Sequence, residues 1–370
     1  MPTKTILHII DTTGPGGAET VFIQLADLLR SRGWKSVVVI RGPGWVQEEL
    51  ERRGINAHVI PAKGSFAVKF LMRLVRLVKA EKVDVIQSHL LGSNVYAAIA
   101  GLISATPVVA TYHGMVDVNP NERFRWLKHT AMAKGIKRYV AVSDRLMANI
   151  HEQGLLDPAR SVVVYNGVAM ERYGKNDLQT LRKQLGLNAN AVLVGSLGNV
   201  RPAKDYPNLI AAGALLLKTH PTLHFVIAGH KKPSLMAKLE QQMADLGVSE
   251  HFHFLGFCQD CAEFLGQMDY FALSSSSEGF SIATIEAMAT TLPVVVTQCG
   301  GPEEIVTNGV SGVIVEKQNP EALAAGLQAL LANNELVEQY SQAGYRHVQQ
   351  TFSMDRMLSA YEALYNQVMP

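Results

Sequence analysis

Short apolar runs suited to buried strands alternate with helical patterns along this whole 370-residue chain. In the first half the runs fall near residues 5–10, 36–40, 57–60, 85–87, 108–112, 139–141 and 162–164. In the second half they fall near 192–196, 224–227, 253–254, 270–272, 294–297 and 312–315. Strand followed by helix, repeated, predicts an α/β chain with doubly wound parallel sheets. The length suits two domains, each able to bury its own core. A turn-rich stretch, Tyr165-Asn166-Gly167-Val168, marks the boundary, which places one domain at 1–165 and a second at 166–353. The last segment, 354–370, carries Met357, Leu358, Tyr361, Leu364 and Tyr365 at helical spacing.

Between Asp84 and Asp117 there is no Asp, Glu, Lys or Arg, so 90–112 is long enough to span a membrane. Ser93, Asn94, Ser104, Thr106 and Pro107 interrupt it, and a buried helix over 95–103 followed by a buried strand over 108–112 accounts for it better. No secretory leader is visible, because the apolar run 6–10 is short and Asp11 ends it. Three cysteines, Cys258, Cys261 and Cys299, point to a reducing, cytoplasmic setting rather than a disulfide framework. Cys258 and Cys261 have zinc or redox spacing, but no second such pair accompanies them, so a structural role is expected.

Three segments carry candidate chemistry. Glu278 and Glu286 stand eight positions apart across a predicted helix start, with Ser274 to Ser277 before them and Gly279 directly after Glu278. Glycine there permits close approach of a ligand to the backbone, and free amides at a helix start suit phosphate. Hydroxyls around a diphosphate, as in a sugar nucleotide, match two such carboxylates, although this spacing alone is common on solvated surfaces. Arg201 and Lys204 lie in a second segment, at a turn from strand to helix, where open α/β sheets bind ligands. Arg201 is able to grip phosphate bidentately, and Lys204 adds a point charge. The third segment is the glycine-rich turn Gly14-Pro15-Gly16-Gly17-Ala18-Glu19 after the first strand. It fits neither the dinucleotide nor the P-loop pattern, but adjacent glycines allow a backbone nest for an anion.

Taken in order along the chain, these segments resemble the retaining glycosyltransferases of family 4. The resemblance rests on Gly16-Gly17-Ala18-Glu19, Thr111-Tyr112-His113-Gly114, Val142-Ser143, Tyr165-Asn166-Gly167-Val168, Arg201 with Lys204, and Glu278 to Glu286. It continues through Leu292-Pro293-Val294, Gly300-Gly301, Glu304-Ile305-Val306 and Asn308-Gly309 with Gly312. It implies the GT-B fold: two Rossmann-like doubly wound parallel-sheet domains facing a central cleft, with the last helix covering the N-terminal domain. It also implies roles. Glu286 binds the donor ribose, and Glu278 touches the donor hexose near the reacting carbon. Backbone at Gly279, Phe280, Ser281, Ile282 and Ala283 meets diphosphate and sugar. Arg201 and Lys204 stabilise the departing diphosphate, Gly16 and Gly17 approach the same phosphates, and His113 stands near the donor sugar. Without the match, a lone histidine after a strand reads as structural.

The implied reaction moves a hexose or N-acetylhexosamine from a sugar nucleotide to a hydroxyl of a saccharide or lipid-linked acceptor. UDP-sugars are favoured over GDP-mannose, and bacterial polysaccharide or lipopolysaccharide synthesis is the expected setting. No Asp-x-Asp is present and Arg201 with Lys204 supply positive charge, so no metal and no cofactor is expected. A sugar-nucleotide epimerase on the same architecture is the alternative; it needs acid and base groups at the ring and no acceptor.

Charge divides the chain. Residues 1–165 hold 21 Lys/Arg and 13 Asp/Glu, whereas 166–370 hold 13 and 19. Within the basic half, 66–79 and 122–138 interleave cations with apolar residues. Both segments read equally well as sheet-packing helices with solvated backs and as peripheral contacts with an anionic membrane on the cytoplasmic face. No nucleic-acid-binding motif accompanies the charge, so nucleic acid is not an expected partner.

Overall fold

A computed structural model describes residues 3–62, 67–118, 122–154, 156–176 and 179–369. The chain forms two compact units, Met1–Asn166 with Arg356–Pro370, and Gly167–Asp355. Both are parallel sheets packed with helices, the Rossmann-like arrangement that the resemblance implied.

In the first unit the strands are β1 (Thr5–Ile10), β2 (Lys35–Ile40), β3 (His58–Val59), β4 (Val85–His89), β5 (Val108–Tyr112), β6 (Arg138–Ala141) and β7 (Ser161–Val163). They lie in the order β3-β2-β1-β4-β5-β6-β7, every pair parallel. The second unit contains β8 (Val192–Leu197), β9 (Leu223–Ala228), β10 (Phe252–Gly256), β11 (Tyr270–Leu273), β12 (Val294–Thr297) and β13 (Val313–Val315). Its order is β10-β9-β8-β11-β12-β13, also parallel. The winding reverses between β1 and β4 in one sheet and between β8 and β11 in the other. Crevices at such reversals, beyond the carboxyl ends of the strands, are where these sheets bind ligands.

The central strands are apolar because both faces are covered. Ile6, Leu7, Ile9 and Ile10 of β1 have no exposed surface, nor do Val294, Val295 and Val296 of β12. The charge-free stretch folds as the helix Leu91–Ser104 followed by β5, and among the described residues no helix is long and apolar enough to cross a membrane. That helix begins four residues before the expected start. Asn94 does not break it, because its side chain accepts from Ser88 Oγ at 2.7 Å and donates to the Thr111 carbonyl at 3.3 Å.

The final helix, Met354–Val368, runs into the first unit. Tyr361 and Tyr365 are fully buried there, and Glu362 accepts a hydrogen bond from Trp34 Nε1 at 2.8 Å and pairs with Arg32. Phe66, the first residue of one basic segment, lies outside the described residues.

Candidate functional site

In the second unit, β8 ends at Leu197 and the chain turns through Gly198 into the 3-10 turn Pro202–Lys204 and the helix Tyr206–Leu216. Gly198 has φ +156°, and a Cβ there would lie 2.4 Å from Lys204 Cε. Only glycine lets the lysine stem cross the strand end this closely. Lys204 Nζ then meets Glu278 Oε1 at 2.7 Å, and the two side chains are only 11% and 14% exposed. The same carboxylate oxygen accepts from Ser275 Oγ at 2.7 Å.

The serine run ties this loop to its neighbour. Ser274 Oγ donates to the Lys204 carbonyl at 2.9 Å, and the Ser276 amide donates to the Ala203 carbonyl at 2.8 Å. Arg201, by contrast, is exposed, and no carboxylate among the described residues pairs with it. One cation is thus spent holding Glu278 while the other stays open to a ligand.

Beyond Glu278, Ser281 caps the helix Ile282–Ala289 by accepting from the Thr284 amide. The amides of Ile282 and Ala283 in that first turn precede any helical acceptor, the kind of helix start that suits an anion. Phe280 is packed so closely against Gly301 that a Cβ on the glycine would lie 2.7 Å from the Phe280 Cα. Glu286, in the second turn, accepts from the Tyr173 hydroxyl at 2.7 Å. Burial pushes the Glu286 carboxyl up to about 7, against the opposing pull of the Tyr173 hydrogen bond, Arg172 and Lys204. Near it, Cys258 and Cys261 share a hydrogen bond, which lowers the Cys258 thiol and raises that of Cys261. No group of three His, Cys, Asp or Glu among the described residues converges to hold a metal ion, so the zinc spacing has no further ligands.

The first unit assembles a different constellation. Asp11, at the end of β1, lies 3.6 Å from Arg41, and burial raises its carboxyl above the usual range. The adjacent glycines allowed a backbone nest for an anion, but Gly14, Gly16 and Gly17 all lie outside the positive-φ region. Gly16 is extended, at φ −174°, and its carbonyl accepts from both the amide and the hydroxyl of Thr20 at 2.9 Å. Any capacity of Gly16 and Gly17 for phosphate therefore rests on the amide end of the helix Gly17–Ser31.

His113 follows β5. Its backbone amide donates to Asp117 Oδ2 at 2.8 Å, and the other Asp117 oxygen accepts from the Leu91 amide at 3.1 Å. Burial pushes Asp117 up to about 6 and His113 down to about 3. His113 Nε2 faces His89 Nδ1 at 2.8 Å. A histidine with so low a pKa stays neutral across the physiological range.

Four of the residues at these ends were not flagged by the sequence. Asp117 closes the charge-free stretch four positions after His113, and that isolation was a usable signal. His89 lies just past the expected end of its strand, inside β4. Asp11 was read only as the end of an apolar run. Tyr173 carries no local signal at all.

Models of known families match both halves: glycosyltransferase family 4 over residues 15–172, and glycosyl transferases group 1 over 177–347. The chain belongs to the family 4 glycosyltransferases. A D-inositol 3-phosphate glycosyltransferase of Geodermatophilus obscurus is 30% identical over 307 residues, covering 76% of this chain and 66% of the relative. An Escherichia coli protein named UDP-Gal:alpha-D-GlcNAc-diphosphoundecaprenol alpha-1,3-galactosyltransferase is 28% identical over 261 residues, 67% of this chain and 66% of its own. The chain thus spans just under two thirds of the length of both. Anabaena Alr3699/HepE, crystallised with UDP and glucose, superposes with a TM-score of 0.88 at 23% identity, over 98% of this chain and 100% of that one. At that identity the likeness is one of fold.

Proposed function

We propose that this glycosyltransferase moves a hexose or N-acetylhexosamine from a UDP-sugar to a saccharide or lipid-linked hydroxyl with retention of configuration. The observation that carries the reading is the pairing of Lys204 with Glu278 at the end of β8, with exposed Arg201 three residues away. Breaking the bond between sugar carbon and diphosphate places positive charge on the ring and negative charge on the leaving group. Arg201, Lys204 and the helix-start amides answer the negative charge, and Glu278 answers the positive.

Glu286, with Tyr173 on its carboxylate, suits ribose hydroxyls and stands apart from the reacting carbon in this assignment. The two carboxylates therefore do not act as the acid and nucleophile of a glycosidase. The acceptor hydroxyl attacks from the face the diphosphate leaves, its oxygen bonds to the sugar carbon, and its proton passes to the departing phosphate. Two protein cations take the place that magnesium holds in many phosphate-handling enzymes, so the reaction proceeds without metal or cofactor. The UDP preference draws on the E. coli relative named for UDP-Gal and on the Anabaena structure with UDP.

Peripheral contact with an anionic membrane belongs to the same proposal. Trp126 is 78% exposed beside exposed Phe124, Leu127 and Arg123. Val68 and Met72 are likewise exposed on the helix Val68–Ala80, next to the exposed Lys69, Arg73 and Arg76. Exposed apolar groups among cations suit an anionic interface.

The deciding experiment incubates the protein in excess EDTA with a panel of sugar nucleotides, with and without undecaprenyl-diphosphate-linked sugars, and reads product anomers by NMR. The expected result is acceptor-dependent release of UDP with the anomeric configuration kept. Acceptor-independent isomerisation would make the chain an epimerase, and activity lost in EDTA and restored only by magnesium or manganese would end the metal-free assignment.

A further inference from the structure

The polar network behind His113 determines which of its ring nitrogens carries the proton. Gln87 is fully buried on β4, and its neighbours decide the orientation of its amide. The amide atom 3.3 Å from the Ser88 carbonyl is the nitrogen, since a carbonyl oxygen only accepts. The amide oxygen takes the Tyr365 hydroxyl at 3.1 Å, and the nitrogen donates to Thr111 Oγ1 at 2.9 Å. That same nitrogen lies 3.4 Å from His89 Nε2.

An amide nitrogen offers no lone pair, so a proton on His89 Nε2 would be buried without an acceptor. Neutral His89 therefore carries its proton on Nδ1. Nδ1 faces His113 Nε2 at 2.8 Å, with ring centres 5.1 Å apart and planes inclined by 23°. The centre distance is about the N···N distance plus two ring radii, so the rings meet edge to edge in a well-aligned hydrogen bond. His89 donates and His113 Nε2 accepts, which leaves the proton of neutral His113 on Nδ1.

We infer that His89 is a positioning residue that holds His113 as the Nδ1–H tautomer, making His113 a hydrogen-bond donor to the transferred sugar and not a general base. The chain of donors starts on the final helix and runs from Tyr365 through Gln87 and His89 to His113. Tyr361 steadies it by meeting Thr111 Oγ1 at 3.1 Å. From the other elements, Phe22 meets His89 in a T-shaped contact with ring centres 5.5 Å apart, and His8 lies close by; burial keeps His8 neutral too. With His113 Nε2 occupied, the acceptor proton goes to the leaving phosphate. The sugar-facing role rests on the glycosyl-transfer reading, whereas the tautomer does not.

Selective ¹⁵N labelling of histidine rings tests the tautomer in the full chain without substrate, with the His113 signals identified by His113→Gln. Nδ1–H on both His89 and His113 at neutral pH is expected. Gln87→Glu puts an acceptor in front of His89 Nε2 and should turn both rings to Nε2–H. Finding Nε2–H on His113 in the unaltered protein overturns the inference. Kinetics then test the consequence. His89→Leu should lower kcat about tenfold, while His89→Asn, whose amide replaces the Nδ1–H donor, should restore most of the loss. Equal losses in the two variants would mean that His89 only packs. A protein that shows the expected tautomers but transfers no sugar would overturn the functional reading and leave the tautomer standing.

Discussion

The two units meet polar chemistry in opposite ways at equivalent places in their sheets. At the reversal of the second sheet, formal charges are brought together: Lys204 against Glu278, with Arg201 left open. At the reversal of the first, the side chains linked to the His113 ring are a neutral ring, an amide and hydroxyls in directional hydrogen bonds, while Asp117 holds the His113 amide and Asp11 lies 3.6 Å from Arg41. Charge stabilisation falls off slowly with distance and tolerates a flexible lysine, whereas a hydrogen bond to a hydroxyl needs a fixed direction. On the proposed reading, the second unit answers a leaving diphosphate and the first orients a neutral group.

The largest effect should come from the charged side. Lys204→Ala and Arg201→Ala should each lower turnover by roughly 10²–10³, the scale for losing one preorganised charge stabiliser. Only Lys204→Ala should also lower the melting temperature, because it leaves the Glu278 carboxylate half-compensated in a site with little solvent. Equal thermal stability in the two variants would remove the distinction between the paired and the open cation.

Next comes the division of labour between the carboxylates. Glu278→Ala should chiefly reduce kcat, and Glu286→Ala should chiefly raise the donor KM. The reverse pattern would exchange their assignments.

A third effect is one of pH. The Glu286 carboxyl is raised from 4.5 to about 7 in the folded protein. Between those values the folded chain holds a proton that the unfolded chain releases. The associated stability is present below about 4.5 and is lost as pH rises through about 7. Melting temperature should thus fall more steeply from pH 5 to 8 in the natural protein than in Glu286→Gln. Donor affinity should improve over the same range, as the carboxylate becomes a stronger acceptor for ribose hydroxyls. Parallel melting curves would show that Glu286 is ionised throughout.

On the neutral side the expected effect is smaller. His113→Ala should cost about tenfold in kcat, the scale of one neutral hydrogen bond. Above pH 5 the His113 contribution should not titrate, because burial holds that ring down at about 3.

Smallest for catalysis is the surface. Reversing Lys69, Arg73 and Arg76 together should abolish low-salt binding to anionic vesicles while leaving transfer to a soluble acceptor analogue nearly unchanged. Equal affinity for neutral and anionic vesicles would return these cations to a solvated helix back.

Much of this was legible in the chain itself. Strand and helix alternation is written locally, in apolar runs and in glycine, serine and asparagine turns, so the thirteen strands among the described residues stand near their expected places. Arg201, Lys204, Glu278 and Glu286 stood out because each sits near a strand-to-helix turn, the kind of place where open α/β sheets bind ligands. Edges were harder: β3 shrinks to His58–Val59, since an edge strand has only one neighbour to set its length.

The partners were a different matter. Lys204 and Glu278 are 74 residues apart, His89 and His113 24, and Gln87 and Tyr365 278. Sequence alone determined the strand-helix alternation and the residue types available at each turn, because periodicity and backbone preference act over a few residues. Which cation is paired and which stays open, and which nitrogen of His113 carries the proton, was decided only by the tertiary structure. Strand order and the return of the final helix bring those groups to hydrogen-bonding distance, and no local pattern encodes a contact across such separations.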